Sequence, residues 1–266
     1  MAEEWRLGAP ERGQLAEQGF VVRREVFDAS EVGAIGNACD ALVDRLLEEK
    51  RNAKVPVGSY TFEIQQRLAT IVKWEQENPD LLLGVEPFAH LSETLRTWAL
   101  DARLLGPARD MVGSDDVDLF TEKLNLKRAH RGGPIVLHQD FPYWADATPI
   151  AARVATAVVF LDDARRDNGC LEVVPGSHRE GVQERKAVAG FGNLEMNPAA
   201  FDTSRLIPLE VPAGSVVFFG PFLVHRSLAN RSADDRRALL FSYQPAGNPH
   251  LRHLLKLGPP VNGDVP

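Results

Sequence analysis

After Gly113 the sequence stops repeating at helical spacing and breaks into short β-rich runs, and this change of texture limits the possible folds more than any other feature. The runs are Val117 to Lys127, Ile135 to Asp140, Arg153 to Asp162, Cys170 to Val174, Leu206 to Val211, Ser215 to Phe219, Leu223 to Ser227 and Arg237 to Gln244. Gly, Pro, Asn and Asp fill the gaps between them. Many short strands separated by such turns predict a sandwich or barrel.

The first part of the chain reads differently. Gly19 to Phe27 is rich in β-branched and aromatic residues and predicts a strand. Ser30 can cap a long helix to about Ala53, with Glu31 in its first turn and Val32, Ile35, Cys39, Leu42, Val43, Leu46 and Leu47 at helical spacing. Val55 to Gly58 reads as a break, and periodicity does not settle 59–74. Ser92 and Glu93 open a helix to about Leu100, and Ala102 to Val112 form another that stops at Gly113. The simplest organisation is one domain over 1–266. Residues 1–113 are mostly helical support, 114–245 form the β core, and 246–266 are a short helical or irregular tail, loosely held from Gly258.

Composition excludes some classes. Of 266 residues 44% are hydrophobic and 25% charged, as in soluble globular proteins. The formal net charge of −7 argues against a nucleic-acid footprint, which wants a basic face. No apolar run approaches the roughly 18 residues of a membrane span, and the opening MAEEWRLGAPERGQ lacks the apolar core of a secretory signal. Cys39 and Cys170 are far apart and without metal-type spacing, as expected of reduced, buried thiols in a cytoplasmic protein.

The chemistry centres on LHQDFPYW, Leu137 to Trp144. On an extended chain His138 and Asp140 point to one face. An imidazole and a carboxylate there can hold a divalent metal, and a second histidine would complete the facial triad that leaves iron(II) with open positions. His225, at a strand end in PFLVHRSLANRS, can reach such a pair from a neighbouring strand. His178-x-Glu180 offers the same ligand types, but in a Pro/Gly turn where alternation is not assured.

Arg236 and Arg237 open the apolar strand ALLFSYQ, so alternation sends one inwards and the other to solvent. An inward guanidinium needs a carboxylate partner. Either a dicarboxylic co-substrate, gripped in bidentate fashion, or a structural acid such as Asp162 or Asp163 would serve.

These residues resemble the phytanoyl-CoA dioxygenase family of iron(II)/2-oxoglutarate oxygenases, which includes the ectoine hydroxylases. LHQDFPYW, DNGCLEVVPGSHREG and VPAGSVVFFGPFLVHRSLANRSADDRRALLFSY match in order, over roughly residues 117 to 244. The resemblance implies a mainly β fold with flanking α elements, a double-stranded β-helix of jelly-roll or cupin type with supporting N-terminal helices. It implies iron(II) held by His138, Asp140 and His225, with 2-oxoglutarate and O₂ as co-substrates. It makes Arg236 the inward arginine and Ser227 its helper at the distal carboxylate of 2-oxoglutarate. Thr156 and Asn125 are further cofactor positions, and Lys127, Tyr143 and Trp144 are substrate positions. Arg128 or Arg185 could also pair with an anionic substrate. Related halogenases lose the carboxylate ligand; Asp140 is kept here, which favours oxygen-atom transfer.

The implied activity is hydroxylation of an unactivated C–H bond of a small metabolite, with succinate and CO₂ as co-products. A catalytically silent binding barrel would have no need of an intact triad, and a cupin-type metalloenzyme without 2-oxoglutarate no need of Arg236 and Ser227. The long aperiodic segment Arg179 to Arg205, with GFGNLEMNPAAFDTS at its centre, is a candidate substrate cover.

Overall fold

In the computed structural model, residues 5–57, 60–75, 78–185, 196–197 and 201–258 are described. The N-terminal part begins with α1 (Ala9–Gln18), β1 (Phe20–Arg23) and α2 (Ala29–Glu48). Helix α2 is capped by Asp28 rather than Ser30. The Asp28 carboxylate accepts from the Glu31 N–H (2.9 Å), and Glu31 in return accepts from the Asp28 N–H (3.0 Å), a reciprocal capping box. The helix also stops at Glu48, short of the expected Ala53. Arg51 folds back so that its guanidinium donates to the Leu46 and Leu47 carbonyls (3.3 and 3.5 Å), satisfying acceptors that the helix end leaves open.

The largest departure from the sequence reading follows. Four strands, β2 (Lys54–Val57), β3 (Tyr60–Gln65), β4 (Thr70–Trp74) and β5 (Leu82–Glu86), occupy the stretch assigned to a break and to helical support. They pair as successive antiparallel neighbours. Residues 1–113 are therefore part sheet. Then come α3 (Glu93–Ala99), capped by the Ser92 hydroxyl (3.3 Å), and α4 (Ala102–Val112), which ends at left-handed Gly113 as expected.

The remaining elements are β6 (Val117–Lys127), β7 (Ile135–His138), α5 (Phe141–Trp144), β8 (Ala155–Phe160), β9 (Leu171–Val173), β10 (Ile207–Leu209), β11 (Val216–Phe219), β12 (His225–Ser227), β13 (Arg236–Pro245) and α6 (Leu251–Leu254). Each falls in or beside an expected β run, apart from the short helices. Two antiparallel sheets result. The larger has the order β1-β11-β8-β13-β6-β5-β4-β3-β2 and the smaller β10-β9-β12-β7. The interleaved order and the facing sheets match the expected double-stranded β-helix.

Alternation along β8 and β13 explains the layers. Ala157, Val159, Leu239 and Phe241 pack outwards with Ile35, Leu46, Leu95 and Leu104 of the helices, in the larger core. Val158, Phe160 and Ala238 face the other way and join Val173, Phe219 and Leu223 between the sheets. Tyr243 is buried within the helix-side core, and its hydroxyl donates to the Ala99 carbonyl (2.7 Å), tying α3 to β13. Cys39 and Cys170 are free, buried thiols in separate cores.

Among the described residues no helix is long and apolar enough to cross a membrane. Of the expected cover segment, 186–195 and 198–200 lie outside the described residues. Its described parts include Met196, whose N–H donates to the Leu137 carbonyl (3.1 Å), and a short helical turn at Thr203–Arg205. Residues 259–266 of the expected tail also lie outside.

Candidate metal centre

Strand β7 ends at His138, two residues sooner than expected, and Asp140 has helical backbone angles (φ −72°, ψ −31°). Two local causes bend the chain. Pro142 lies in the first turn of α5, and the Phe141 N–H donates to the Pro221 carbonyl (2.9 Å) on the connection before β12. Simple strand alternation therefore does not place the carboxylate. The turn does, and it still returns Asp140 Oδ1 to 3.6 Å from His138 Nε2. Gln139 points away, its amide donating to the carbonyls of Gly181 (2.9 Å) and Phe222 (2.7 Å), so the ligand loop is braced from behind.

His225 joins them by strand pairing. It is the direct register partner of His138 across β12 and β7, and their ring centroids are 4.1 Å apart. Ligand atoms of His138, Asp140 and His225 all lie within 4.8 Å of one another, the single such group among the described residues. In each ring Nδ1 sits against a backbone carbonyl, Val136 O for His138 (2.7 Å) and Leu223 O for His225 (2.9 Å). A proton on Nδ1 leaves the Nε2 lone pair for a metal, the arrangement that second-shell contacts impose in metal sites.

The electrostatics agree. Burial, helped by neighbouring His138, pushes His225 down to about 4, so it is neutral at neutral pH. Burial opposes the Asp140 charge, but Lys123 and the two imidazoles outweigh it and hold the carboxyl below its ordinary value. The neutral His225 imidazole and the charged Asp140 carboxylate are donor forms a divalent ion needs.

The triad opens on a cavity of about 250 Å³ between the sheets. Arg236 lines it and is only 4% exposed. Among the described residues its Nε has no hydrogen-bond partner, and its guanidinium lies 5.8 Å from the centre of the Phe160 ring. Burial pushes it down to about 10, the direction expected of a cation that lacks its anion. The buried Ser227 hydroxyl, also on the cavity wall, likewise lacks a partner among the described residues. Arg237 points to the other side and holds Asp162 (3.0 Å) and Asp40 (3.2 Å). The structural acid thus belongs to Arg237, and the inward arginine is Arg236.

The other expected site residues divide. Asn125, Tyr143 and Trp144 line the cavity. Tyr143 meets the His138 ring edge-on (5.7 Å), and Trp144 packs against Phe120 (5.3 Å). Lys127 does not line it. Its ammonium donates to the Gly133 and Leu228 carbonyls (2.6 and 2.7 Å) and pins the end of β6 to two loops, a structural task rather than substrate contact. Thr156 is also outside the wall, its hydroxyl bonded to Ser242 (2.9 Å). Arg128 pairs with Asp235 (2.7 Å), and Arg185 is exposed away from the wall. His178 contacts the Ala16 carbonyl (3.3 Å) while Glu180 pairs with Arg205, so that pair forms no metal group.

The wall contributed by β3, β4 and β5 had no counterpart in the sequence reading. Tyr60, Phe62, Ile71, Lys73, Leu83 and Glu86 line the cavity from there. The Tyr60 hydroxyl accepts from the Val136 N–H (3.1 Å), joining the two sheets beside the metal ligands. The alternation in YTFEI and TIVKW was the available signal.

Comparison with known proteins agrees with this architecture. The phytanoyl-CoA dioxygenase (PhyH) family profile matches residues 15–238. L-proline trans-4-hydroxylase of Streptomyces griseoviridis is 32% identical over 163 residues, 54% of this chain and 60% of that protein, so the chain spans only part of that relative's length. EctD from S. alaskensis, solved with 2-oxoglutarate and 5-hydroxyectoine, aligns with a TM-score of 0.68 at 22% identity, covering 91% of this chain and 77% of that one. The carbocyclase SnoK from nogalamycin biosynthesis aligns with a TM-score of 0.65 at 23% identity, covering 98% and 95%. With the double-stranded β-helix, the clustered triad and a profile match over most of its length, the chain belongs to the phytanoyl-CoA dioxygenase family.

Proposed function

We propose that the protein is an iron(II)- and 2-oxoglutarate-dependent dioxygenase that hydroxylates an unactivated C–H bond of a small molecule. The observation that carries this reading is a buried two-histidine, one-carboxylate cluster that shares its cavity with a buried guanidinium that meets no acid among the described residues. A metal alone would answer the first feature. Only a ligand with an anionic group answers both.

His138, Asp140 and His225 hold the iron, with both imidazoles fixed in the ligating tautomer by backbone carbonyls. Arg236 takes the distal carboxylate of 2-oxoglutarate, and the Ser227 hydroxyl, two residues beyond His225, donates to the same group. When bound, iron(II) and 2-oxoglutarate supply the oxidation, in which O₂ is consumed, 2-oxoglutarate becomes succinate and CO₂, and the substrate gains a hydroxyl. The chain positions the reacting groups and excludes water. Phe160 and Phe219 dry the inner end of the cavity, while Tyr143 and Trp144 bound it beside the ligands. Asn125 is kept as a further cofactor contact because it too faces the cavity.

Anaerobic addition of iron(II) and then 2-oxoglutarate tests this. A weak visible charge-transfer band is expected in the wild type and is lost in Arg236→Met at the same co-substrate concentration. Absence of any band in the wild type would falsify the oxygenase reading.

A further inference from the structure

The wall opposite the inner arginine narrows the substrate class, an inference that rests on the oxygenase reading above. The charged side chains lining the cavity are Lys73, Glu86, Lys123, Asp140, Arg226 and Arg236. Arg226 is neutralised by Glu172 (2.6 Å). Asp140 is assigned to the metal and Arg236 to the co-substrate. Lys73, Lys123 and Glu86 remain.

Glu86 lies between the two lysines. Its Oε2 is 3.6 Å from Lys73 Nζ and its Oε1 3.7 Å from Lys123 Nζ, while Oε1 also accepts from the Thr121 hydroxyl (3.0 Å). One carboxylate thus faces two ammonium groups. Lys123 Nζ also stands 3.9 Å from Asp140 Oδ1, but a bound divalent ion takes up that carboxylate. The ion with Asp140 carries one net positive charge, which the co-substrate dianion with Arg236 cancels. One positive charge is left over at the lysine pair. All three lysine–carboxylate distances exceed a normal hydrogen bond, so the ammonium N–H groups retain donors for a ligand.

The surroundings are apolar. Lys73 Nζ lies 5.6 Å from the Phe62 ring centre and 6.0 Å from that of Tyr60, and Lys123 Nζ lies 5.4 Å from that of Trp144. Ile71, Leu83 and Leu251 add aliphatic surface. A charged head set in an apolar slot suits an amphipathic ligand.

We propose that the substrate is an amphipathic monocarboxylate whose acid group seats between Lys73 and Lys123 and whose carbon body lies along the Tyr60–Phe62 wall. A cationic head would meet two like charges, with Glu86 already shared between them. A neutral head would leave the excess charge without a counterion.

The test uses the full chain loaded with iron(II) and saturating 2-oxoglutarate, without oxygen. Calorimetry compares phenylpropionate, phenylpropanol and phenylpropylamine, which share one body. The acid is expected to bind about tenfold or more tighter than the alcohol, and the amine weakest. Lys73→Met should erase the preference for the acid, whereas Glu86→Gln should strengthen acid binding. Damage to the fold would weaken acid and alcohol alike in both variants, so the opposite signs separate the seat from a structural effect. The visible band should persist when phenylpropionate is added, which shows that the probe does not displace 2-oxoglutarate from the co-substrate position. Equal binding of acid and alcohol, preference for the amine, or no acid binding at millimolar concentration overturns the proposal. The visible band in the same samples reads the other proposal. A missing band with acid preference intact sinks the oxygenase reading alone, and a normal band without acid preference sinks this inference alone.

Discussion

His138 and His225 are direct partners across the β7–β12 pair, with ring centroids 4.1 Å apart and each Nδ1 held by the carbonyl two residues earlier in the chain. The same local device on two strands orients both rings towards Asp140. Removing one ring deletes a ligand without disturbing the other's tautomer. His225→Ala is expected to lower iron(II) affinity by at least about 100-fold, more than loss of a second-shell partner costs. Competition with a chelator of known affinity measures it, and unchanged affinity would take His225 out of the site.

Arg236 makes an uncommon stability prediction. A buried cation without an acid costs folding free energy in the ligand-free protein. Arg236→Met should therefore melt at or above the wild-type temperature when no ligand is present. With metal and 2-oxoglutarate the order reverses, because the wild type gains more stabilisation from the co-substrate. The variant should bind 2-oxoglutarate about 30-fold or more weakly. Thermal melts with and without co-substrate read both effects, and an equal ligand-induced shift in the two proteins would refute the assignment.

Arg237, its neighbour, should behave in the opposite way. Its guanidinium spans Asp162 and Asp40 on the half-exposed outer side. Arg237→Ala is expected to cost about 1 kcal/mol in urea unfolding, discounted for solvent screening. Co-substrate affinity should not change. A large loss of 2-oxoglutarate binding would mean that the two arginines have exchanged roles.

Glu122 sets an acid-side limit on stability. It is 1% exposed and accepts from the N–H groups of Phe88 (3.1 Å) and Ala89 (3.2 Å), with His250 Nε2 at 2.8 Å. Burial raises its carboxyl, but His250 and the two backbone donors outweigh that and hold it below the ordinary 4.5. The folded protein then binds fewer protons here than the unfolded chain. The contribution is fully present above about pH 4.5 and is lost as pH falls through the lower folded value. Glu122→Gln should cost about 3 kcal/mol at neutral pH. The gap between wild type and variant should shrink on acidification below 4.5, and a gap independent of pH would show that the charge carries no weight.

The legible part of the site lay where chemistry and strand order coincide. His138, Asp140 and His225 could be named because metal ligands require particular residue types, and the strands that carry them read as strands. Asp140 was found for an incomplete reason, since the turn into α5 rather than alternation aims its carboxylate. Alternation left the arginines as a pair, and the family resemblance singled out Arg236. Lys127 was expected at the substrate, and sequence does not distinguish such a lysine from one whose ammonium turns to backbone carbonyls, as this one does. Thr156 was expected at the cofactor, and its hydroxyl meets Ser242 on the neighbouring strand β13.

Sequence alone determined the β core after Gly113, the residue types at the metal centre and the family, because all three are written in local pattern and fixed spacing. The tertiary structure decided which groups face one another. Strand pairing within the smaller sheet set His225 against His138. The β13 register turned Arg236 into the cavity and gave Arg237 the acid. The addition of β2 to β5 to the larger sheet brought Lys73 and Glu86 into the same cavity as Lys123. Those contacts join residues far apart in the chain, and their cause is burial and hydrogen-bond pairing over the whole fold, which no single stretch of sequence encodes.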